Sequence, residues 1–161
     1  MSNQYTETEL KTIANAPMMV GMAISMVDLG IISTAIEAAA MSKQFVTAAK
    51  KYPNNSIIQA VFSEENFKSG VIKPEKPQIS PEEVKSGALL DKAIAATTEA
   101  ITVLDGKATP EEITEYKQFI YSCADAVAEA AGTGLFGSGS PKVSPDEAVA
   151  LSRLKTFLGL E

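Results

Sequence analysis

The sequence predicts an all-α fold. Three observations support this: repeated helix-start motifs, apolar residues spaced by three and four, and no alternating pattern typical of strands. The motifs are Ser80-Pro81-Glu82-Glu83, Thr109-Pro110-Glu111-Glu112 and Ser144-Pro145-Asp146-Glu147. In each, a hydroxyl residue stands at the N-cap, proline at the first helical position and glutamate at the third, so the side chains of cap and glutamate satisfy each other's backbone amides. Three helices are predicted to start there.

The first helix is expected to begin at Thr6-Glu7-Thr8-Glu9, which is the same box without proline. Pro17 is expected to interrupt or restart this helix, because proline lacks an amide donor. The stretch from Pro17 to Val27 is apolar on nearly all sides, which indicates a helix near the centre of the core. Asp28-Leu29-Gly30 is expected to end it.

An Ala-rich helix is predicted next, from about 33 to 51, and it is followed by Tyr52-Pro53-Asn54-Asn55. Its segment from Ala35 to Ala49 suits packing either inside one chain or between two copies. Asn55 is expected to cap a short helix that runs through Phe62.

The second half shows three apolar stripes, one after each proline-containing motif. The middle stripe belongs to a helix from about 110 to 131, which is expected near the centre of the core. The first stripe stops at Asp105-Gly106, and Gly159 closes the last. In chain order the stripes are Leu90, Ile94, Ile101 and Leu104; Ile113, Tyr116, Ile120, Cys123, Val127 and Ala130; and Ala148, Leu151, Leu154 and Leu158.

The predicted architecture is therefore a single compact helical domain over residues 1–161, with about six or seven helices. Residues 70–80, with two prolines, form an extended loop that joins two helical halves. The alternative is a linker between two domains. One domain is favoured because neither half has enough long helices to bury its own apolar faces.

The composition excludes several classes of function. The chain has no histidine and one cysteine, so imidazole catalysis, histidine-containing metal sites and an internal disulfide are excluded. A net charge of -6 argues against nucleic acid and anionic membrane surfaces as partners. Residues 12–27 are too short for a membrane span, and the first residues lack the basic region of a signal peptide. The sequence favours a cytoplasmic protein.

The turns at 27–37, 104–112 and 131–147 share a design in which an apolar helix ends at an acidic residue or glycine and a capped helix follows. This arrangement resembles the TerB-like family of tellurite-resistance proteins, whose typical turn reads Ala-Asp-Gly, a few residues, then Ser-Pro-Glu-Glu. The sequence departs from that pattern at Leu29, which separates Asp28 from Gly30, and at Ala131-Gly132, where the aspartate is missing.

The resemblance implies an all-helical protein of stress and metal-ion response that binds a divalent cation through acidic residues and is not an enzyme. Ca²⁺ and Mg²⁺ are the expected ions, since they accept carboxylate oxygens without histidine or cysteine. The alternative is that these carboxylates are helix caps and solvated charges. The matching metal ligands are Asp28 and Glu37 in the first turn and Asp146 and Glu147 in the third, while Asp105, Glu111 and Glu112 form the middle turn.

Three further features are candidate functional sites. Leu135 and Phe136 lie in a glycine-rich loop, where they either tuck inward or contact a partner. That loop has the spacing Gly-x-Gly-x-x-Gly but no preceding strand, which argues against a dinucleotide site. Cys123 lies in a helix stripe and is expected in the core rather than as a nucleophile.

The predicted function is thus a non-enzymatic, TerB-like protein of tellurite or metal-ion stress response. The main alternative is a metal-free helical module that binds a protein partner or a second copy through the loops at 70–80 and 132–140. A weaker alternative is an enzyme that works with carboxylates alone.

Overall fold

Every regular element in the computed structural model, which describes residues 4–27, 34–70, 80–86, 88–133 and 143–160, is an α-helix. The all-α prediction is confirmed. The described residues form one domain of eight helices: α1 (Glu7–Ser25), α2 (Thr34–Lys51), α3 (Ser56–Phe62), α4 (Glu64–Ser69), α5 (Pro81–Ser86), α6 (Ala88–Leu104), α7 (Pro110–Thr133) and α8 (Pro145–Leu158).

All four predicted capping boxes form. In the box before α8, the Glu147 amide donates to Ser144 Oγ at 3.1 Å, and the Ser144 amide donates to Glu147 Oε2 at 2.9 Å. The boxes that begin at Thr6, Ser80 and Thr109 have the same pair of bonds. Local sequence therefore determines where α1, α5, α7 and α8 begin.

The short helix α4 was not predicted. Ser63 caps it and accepts from the Asn66 amide at 3.3 Å, while Gly70 ends it with a left-handed φ of 66°. Its start has asparagine where the other boxes have glutamate, so the sequence pattern for a helix start is weaker there.

The expectation that Pro17 interrupts the first helix was wrong, because α1 runs unbroken from Glu7 to Ser25. Proline has no amide to donate to the carbonyl four residues earlier, which belongs to Ile13. The hydroxyl of Tyr116, on α7, donates to that carbonyl at 2.7 Å instead. A tertiary hydrogen bond thus replaces the missing helical one.

The core is centred on α1 and α7, as predicted from their apolar sequences. α1 packs against α6 and α7, and α2 packs against α7, so helices from the two halves of the chain share one core. Three aromatic rings, from Phe45, Phe62 and Phe119, join α2, α3 and α7 with centroid separations between 4.8 and 6.0 Å. The Ala-rich α2 buries Phe45 and Ala48 within this one chain.

Two of the predicted apolar stripes lie partly off the buried face. In α6 the small residues Ala93, Thr97 and Ala100 are buried, whereas Ile94 and Ile101 are only partly buried. The most extensive contact of α6 is with α1. In α8 Ala148 is exposed, while the three leucines of its stripe are buried as predicted.

None of the helices in the described ranges has the length and apolar character needed to cross a membrane.

Candidate functional site

The third predicted acidic turn begins α8, and its two carboxylates have different surroundings. Asp146 is exposed to solvent. Glu147 is only 3% exposed, and its carboxylate accepts from the Ser144 amide. The cap therefore already engages one of the two carboxylates predicted to bind a cation.

The other two predicted cation ligands belong to the first acidic turn. Asp28 and the side chain of Glu37 lie outside the described residues. Within the described ranges, no group of three or more aspartate, glutamate, cysteine or histidine side chains is placed to hold a metal ion. Leu135 and Phe136, the predicted partner-binding pair, also lie outside the described residues. The cation site and the partner-binding loop stay predictions.

The middle acidic turn contains a carboxylate that caps two helices. Glu112 Oε2 accepts from the Thr109 amide at 2.9 Å, which completes the box of α7. Glu112 Oε1 accepts from the amide and hydroxyl of Ser56, at 3.0 and 2.6 Å, which satisfies the start of α3. Burial raises the pKa of Glu112, but the hydrogen bonds from Ser56 and Thr109 outweigh it, so the pKa lies below its usual value. Sequence spacing showed only the first of these roles.

Asn55 also links α3 to α7. It is fully buried, and its Oδ1 accepts from the Ile58 amide at 3.0 Å, as its predicted cap role requires. Its amide nitrogen donates to the Glu112 carbonyl at 3.0 Å and to Glu115 Oε2 at 2.9 Å. The bond from Asn55 to Glu115 holds the Glu115 carboxylate in place on α7.

A second cluster connects the N-terminus to the turn before α7. Lys107 Nζ lies 2.6 Å from Glu9 Oε1 and 5.4 Å from the centroid of the Tyr5 ring. The hydrogen bond from Lys107 lowers the pKa of Glu9. The Tyr5 hydroxyl is buried and has no hydrogen-bond partner in the described structure, and burial, with Glu112 and Glu9 nearby, raises its pKa.

Cys123 is fully buried on α7, as predicted from its stripe. Burial raises its pKa well above the usual thiol value, and Lys51 offsets only part of this shift. The side chain is therefore a protonated thiol at neutral pH, unlike the thiolate that a cysteine nucleophile requires.

An open apolar groove of about 800 Å³ lies between α6 and α8. Ile94 lines it from α6, and Val149 and Phe157 line it from α8, with Val149 68% exposed. Arg153 is the one charged side chain among its described lining residues, and its guanidinium lies 2.5 Å from Asp91 Oδ1. We call this feature the α6–α8 groove. Sequence reasoning missed it, because it depends on which side of each helix faces the core.

A second depression, of about 670 Å³, lies where the end of α2 meets α7 and the chain that follows α8. We call it the polar cleft. Unlike the α6–α8 groove, it contains side chains of both charges together with hydroxyl and amide groups. Six of its lining residues carry these groups: Lys51, Tyr52, Glu115, Gln118, Tyr121 and Ser122.

Comparison of the chain with models of protein families, with curated proteins and with solved structures finds no match.

Proposed function

We propose that this chain is a non-enzymatic helical binding module that associates with a second copy of itself through the α6–α8 groove. The observation that supports the proposal is the exposure of Val149 and Phe157 on one face of α8, beside Ile94. Apolar side chains grouped around a groove are typical of binding surfaces, whereas single exposed apolar residues are ordinary.

The charge of the α6–α8 groove is compatible with a second copy. The chain carries a net charge of -6, so two copies repel each other unless the surfaces in contact are neutral. The α6–α8 groove meets this condition, since Arg153 is paired with Asp91. Its described lining residues also offer no unpaired charge to recognise an acidic or basic peptide.

An antiparallel arrangement of two α8 helices fits the order of residues on this face. Val149 and Phe157 each stand four residues from Arg153, about 6 Å along the helix axis. A twofold axis near Arg153 therefore brings Val149 of each copy beside Phe157 of the other. Each arginine then lies within reach of both Asp91 carboxylates. A parallel arrangement places Phe157 beside Phe157 and leaves Val149 unmatched.

The available area indicates a weak dimer. A helix the length of α8 is about 21 Å long, and a face one to two helix diameters wide offers roughly 200–400 Å² in projection. Stable interfaces bury about 800 Å² on each partner. We therefore expect a dissociation constant in the micromolar range or weaker.

Sedimentation equilibrium over about 10 μM to 1 mM tests the proposal. The wild-type chain is expected to shift from monomer toward dimer as its concentration rises. Val149→Glu is expected to remain monomeric, because it places a carboxylate against the apolar Phe157 of the other copy. Val46→Glu is the matched control, since Val46 is an exposed valine on α2, outside the groove. A wild-type chain that stays monomeric at 1 mM refutes self-association.

Photo-cross-linking in expressing cells separates the possible occupants. A benzophenone amino acid at position 149 is expected to give an adduct of twice the chain's mass. An adduct with a different protein shows that the groove binds another partner and contradicts self-association. The absence of any adduct at position 149 contradicts both self-association and binding of another protein at the groove. The same probe at position 46 is expected to give none.

The cation-dependent, TerB-like stress role is a separate hypothesis, and so is the weaker idea of an enzyme that uses only carboxylates. The family resemblance supports the first of these, through the turn motifs alone. The melting temperature after chelation, measured with and without added Ca²⁺ or Mg²⁺, tests it.

A further inference from the structure

We propose that the polar cleft binds a small zwitterion of the free amino acid class, with the ligand carboxylate on Lys51 and the ligand ammonium on Glu115. This inference does not depend on the α6–α8 groove. It rests on two opposite charges that share one cleft without pairing with each other.

The carboxylate side of the cleft is fixed in position. Glu115 Oε2 accepts from Asn55 Nδ2 at 2.9 Å, and Asn55 is itself fully buried and held by the cap of α3. A carboxylate oriented from behind in this way keeps its second oxygen, Oε1, for another donor. Within the described residues, Oε1 has no hydrogen-bond partner.

The cationic side is Lys51, the last residue of α2. Its ammonium lies 5.3 Å from the centroid of the Tyr52 ring and forms no ion pair within the described structure. A lysine at a helix C-terminus also interacts favourably with the helix dipole. The dipole accounts for a lysine at the end of α2, but it does not account for Glu115 in the same cleft. Lys51 and Glu115 are the two charged side chains among the described residues that line this cleft.

Two unpaired opposite charges in one cleft favour a ligand that carries both charges over a simple anion or cation. A plain carboxylate is attracted by Lys51 and repelled by Glu115, and a plain amine experiences the reverse. A zwitterion satisfies both contacts at once. The volume of about 670 Å³ lies within the range of small-molecule sites.

The rest of the lining suits an uncharged side chain on such a ligand. Tyr52 and Tyr121 contribute aromatic rings, and aromatic pairs prefer offset or edge-to-face contacts. Gln118 and Ser122 add neutral hydrogen-bonding groups. An aromatic amino acid such as L-phenylalanine is therefore a suitable first probe.

Isothermal titration of the full chain with L-phenylalanine tests the proposal, beside phenethylamine and 3-phenylpropionate, which each lack one charge. We expect a dissociation constant of about 1 mM for the zwitterion and at least tenfold weaker binding of both analogues. Lys51→Met and Glu115→Gln are each expected to weaken L-phenylalanine binding about tenfold. Lys50→Met, which changes an exposed lysine outside the cleft, is expected to leave it within about twofold.

Thermal unfolding of each variant establishes that it is folded, and glutamine at position 115 still offers an amide oxygen to Asn55. Three results overturn the inference. They are no heat of binding at about 10 mM ligand, equal affinity for the zwitterion and either analogue, or unchanged affinity in both cleft variants. Since Val149 and Phe157 are not in this cleft, failure here leaves self-association unaffected.

Discussion

The hydrogen bond between Tyr116 and Ile13 gives the sharpest prediction about stability. Pro17 leaves the Ile13 carbonyl without its helical donor, and the Tyr116 hydroxyl donates to it at 2.7 Å in a fully buried position. Tyr116→Phe keeps the ring and removes the donor. A buried carbonyl left unpaired costs about 1–3 kcal/mol, so the free energy of unfolding is expected to fall by that amount.

Urea unfolding followed by circular dichroism measures this change. For a slope of about 2 kcal/mol per molar urea, a loss of ~2 kcal/mol lowers the midpoint by roughly 1 M. Tyr121→Phe is the matched control on the same helix, because Tyr121 is only partly buried and donates no such bond in the described structure. It is expected to change the free energy by less than about 0.5 kcal/mol.

A double-mutant cycle tests the reasoning itself. Pro17→Ala restores an amide that donates to the Ile13 carbonyl, so Tyr116→Phe is expected to cost about 1 kcal/mol less in that background. If Tyr116→Phe lowers the free energy of unfolding equally with proline and with alanine at position 17, the idea that Tyr116 replaces the missing helical hydrogen bond is refuted. A cost below about 0.5 kcal/mol in the wild-type background also refutes it.

Three further predictions concern the caps and the acidic turns. Asn55→Ala removes the cap of α3 and its bonds to α7, and is expected to lower the free energy of unfolding by about 1–3 kcal/mol in urea titration. The pKa of Glu112 is lower in the folded state, so the ionised carboxylate adds to the free energy of unfolding above about pH 4.5, and this stabilisation is lost as the pH falls through the folded pKa. Glu112→Gln is therefore expected to weaken the acid-induced drop in melting temperature. A cation present at about a hundred times its dissociation constant raises the free energy of unfolding by roughly 2.7 kcal/mol. Ca²⁺ or Mg²⁺ added after chelation is therefore expected to raise the melting temperature. Asp28→Asn or Glu147→Gln is expected to abolish that rise. No shift with either ion at millimolar concentration contradicts the cation site.

Local sequence accounts well for the places where helices begin and end. The boxes starting at Thr6, Thr109 and Ser144 form as predicted, because a hydroxyl and a glutamate three residues apart satisfy each other's amides without help from the rest of the chain. Gly106 and Gly159 have left-handed φ values of 74° and 68° at the predicted helix ends.

Local sequence accounts less well for which side of a helix is buried. Ile94 was assigned to the buried stripe of α6, yet the structure buries Ala93 and Ala100 more completely. Periodicity identifies a group of apolar residues on one side, but the partner helix selects which of them lie at the centre of the contact. That choice creates the α6–α8 groove.

By itself, the sequence determined the all-α class and the capped starts of α1, α5, α7 and α8, because these depend on interactions between residues close along one helix. Only the tertiary structure decided that α1 continues through Pro17, that Glu112 caps α3 as well as α7, and that Lys51 shares a cleft with Glu115. These features join side chains distant in the sequence, and the packing of α1, α2, α3 and α7 brings them together.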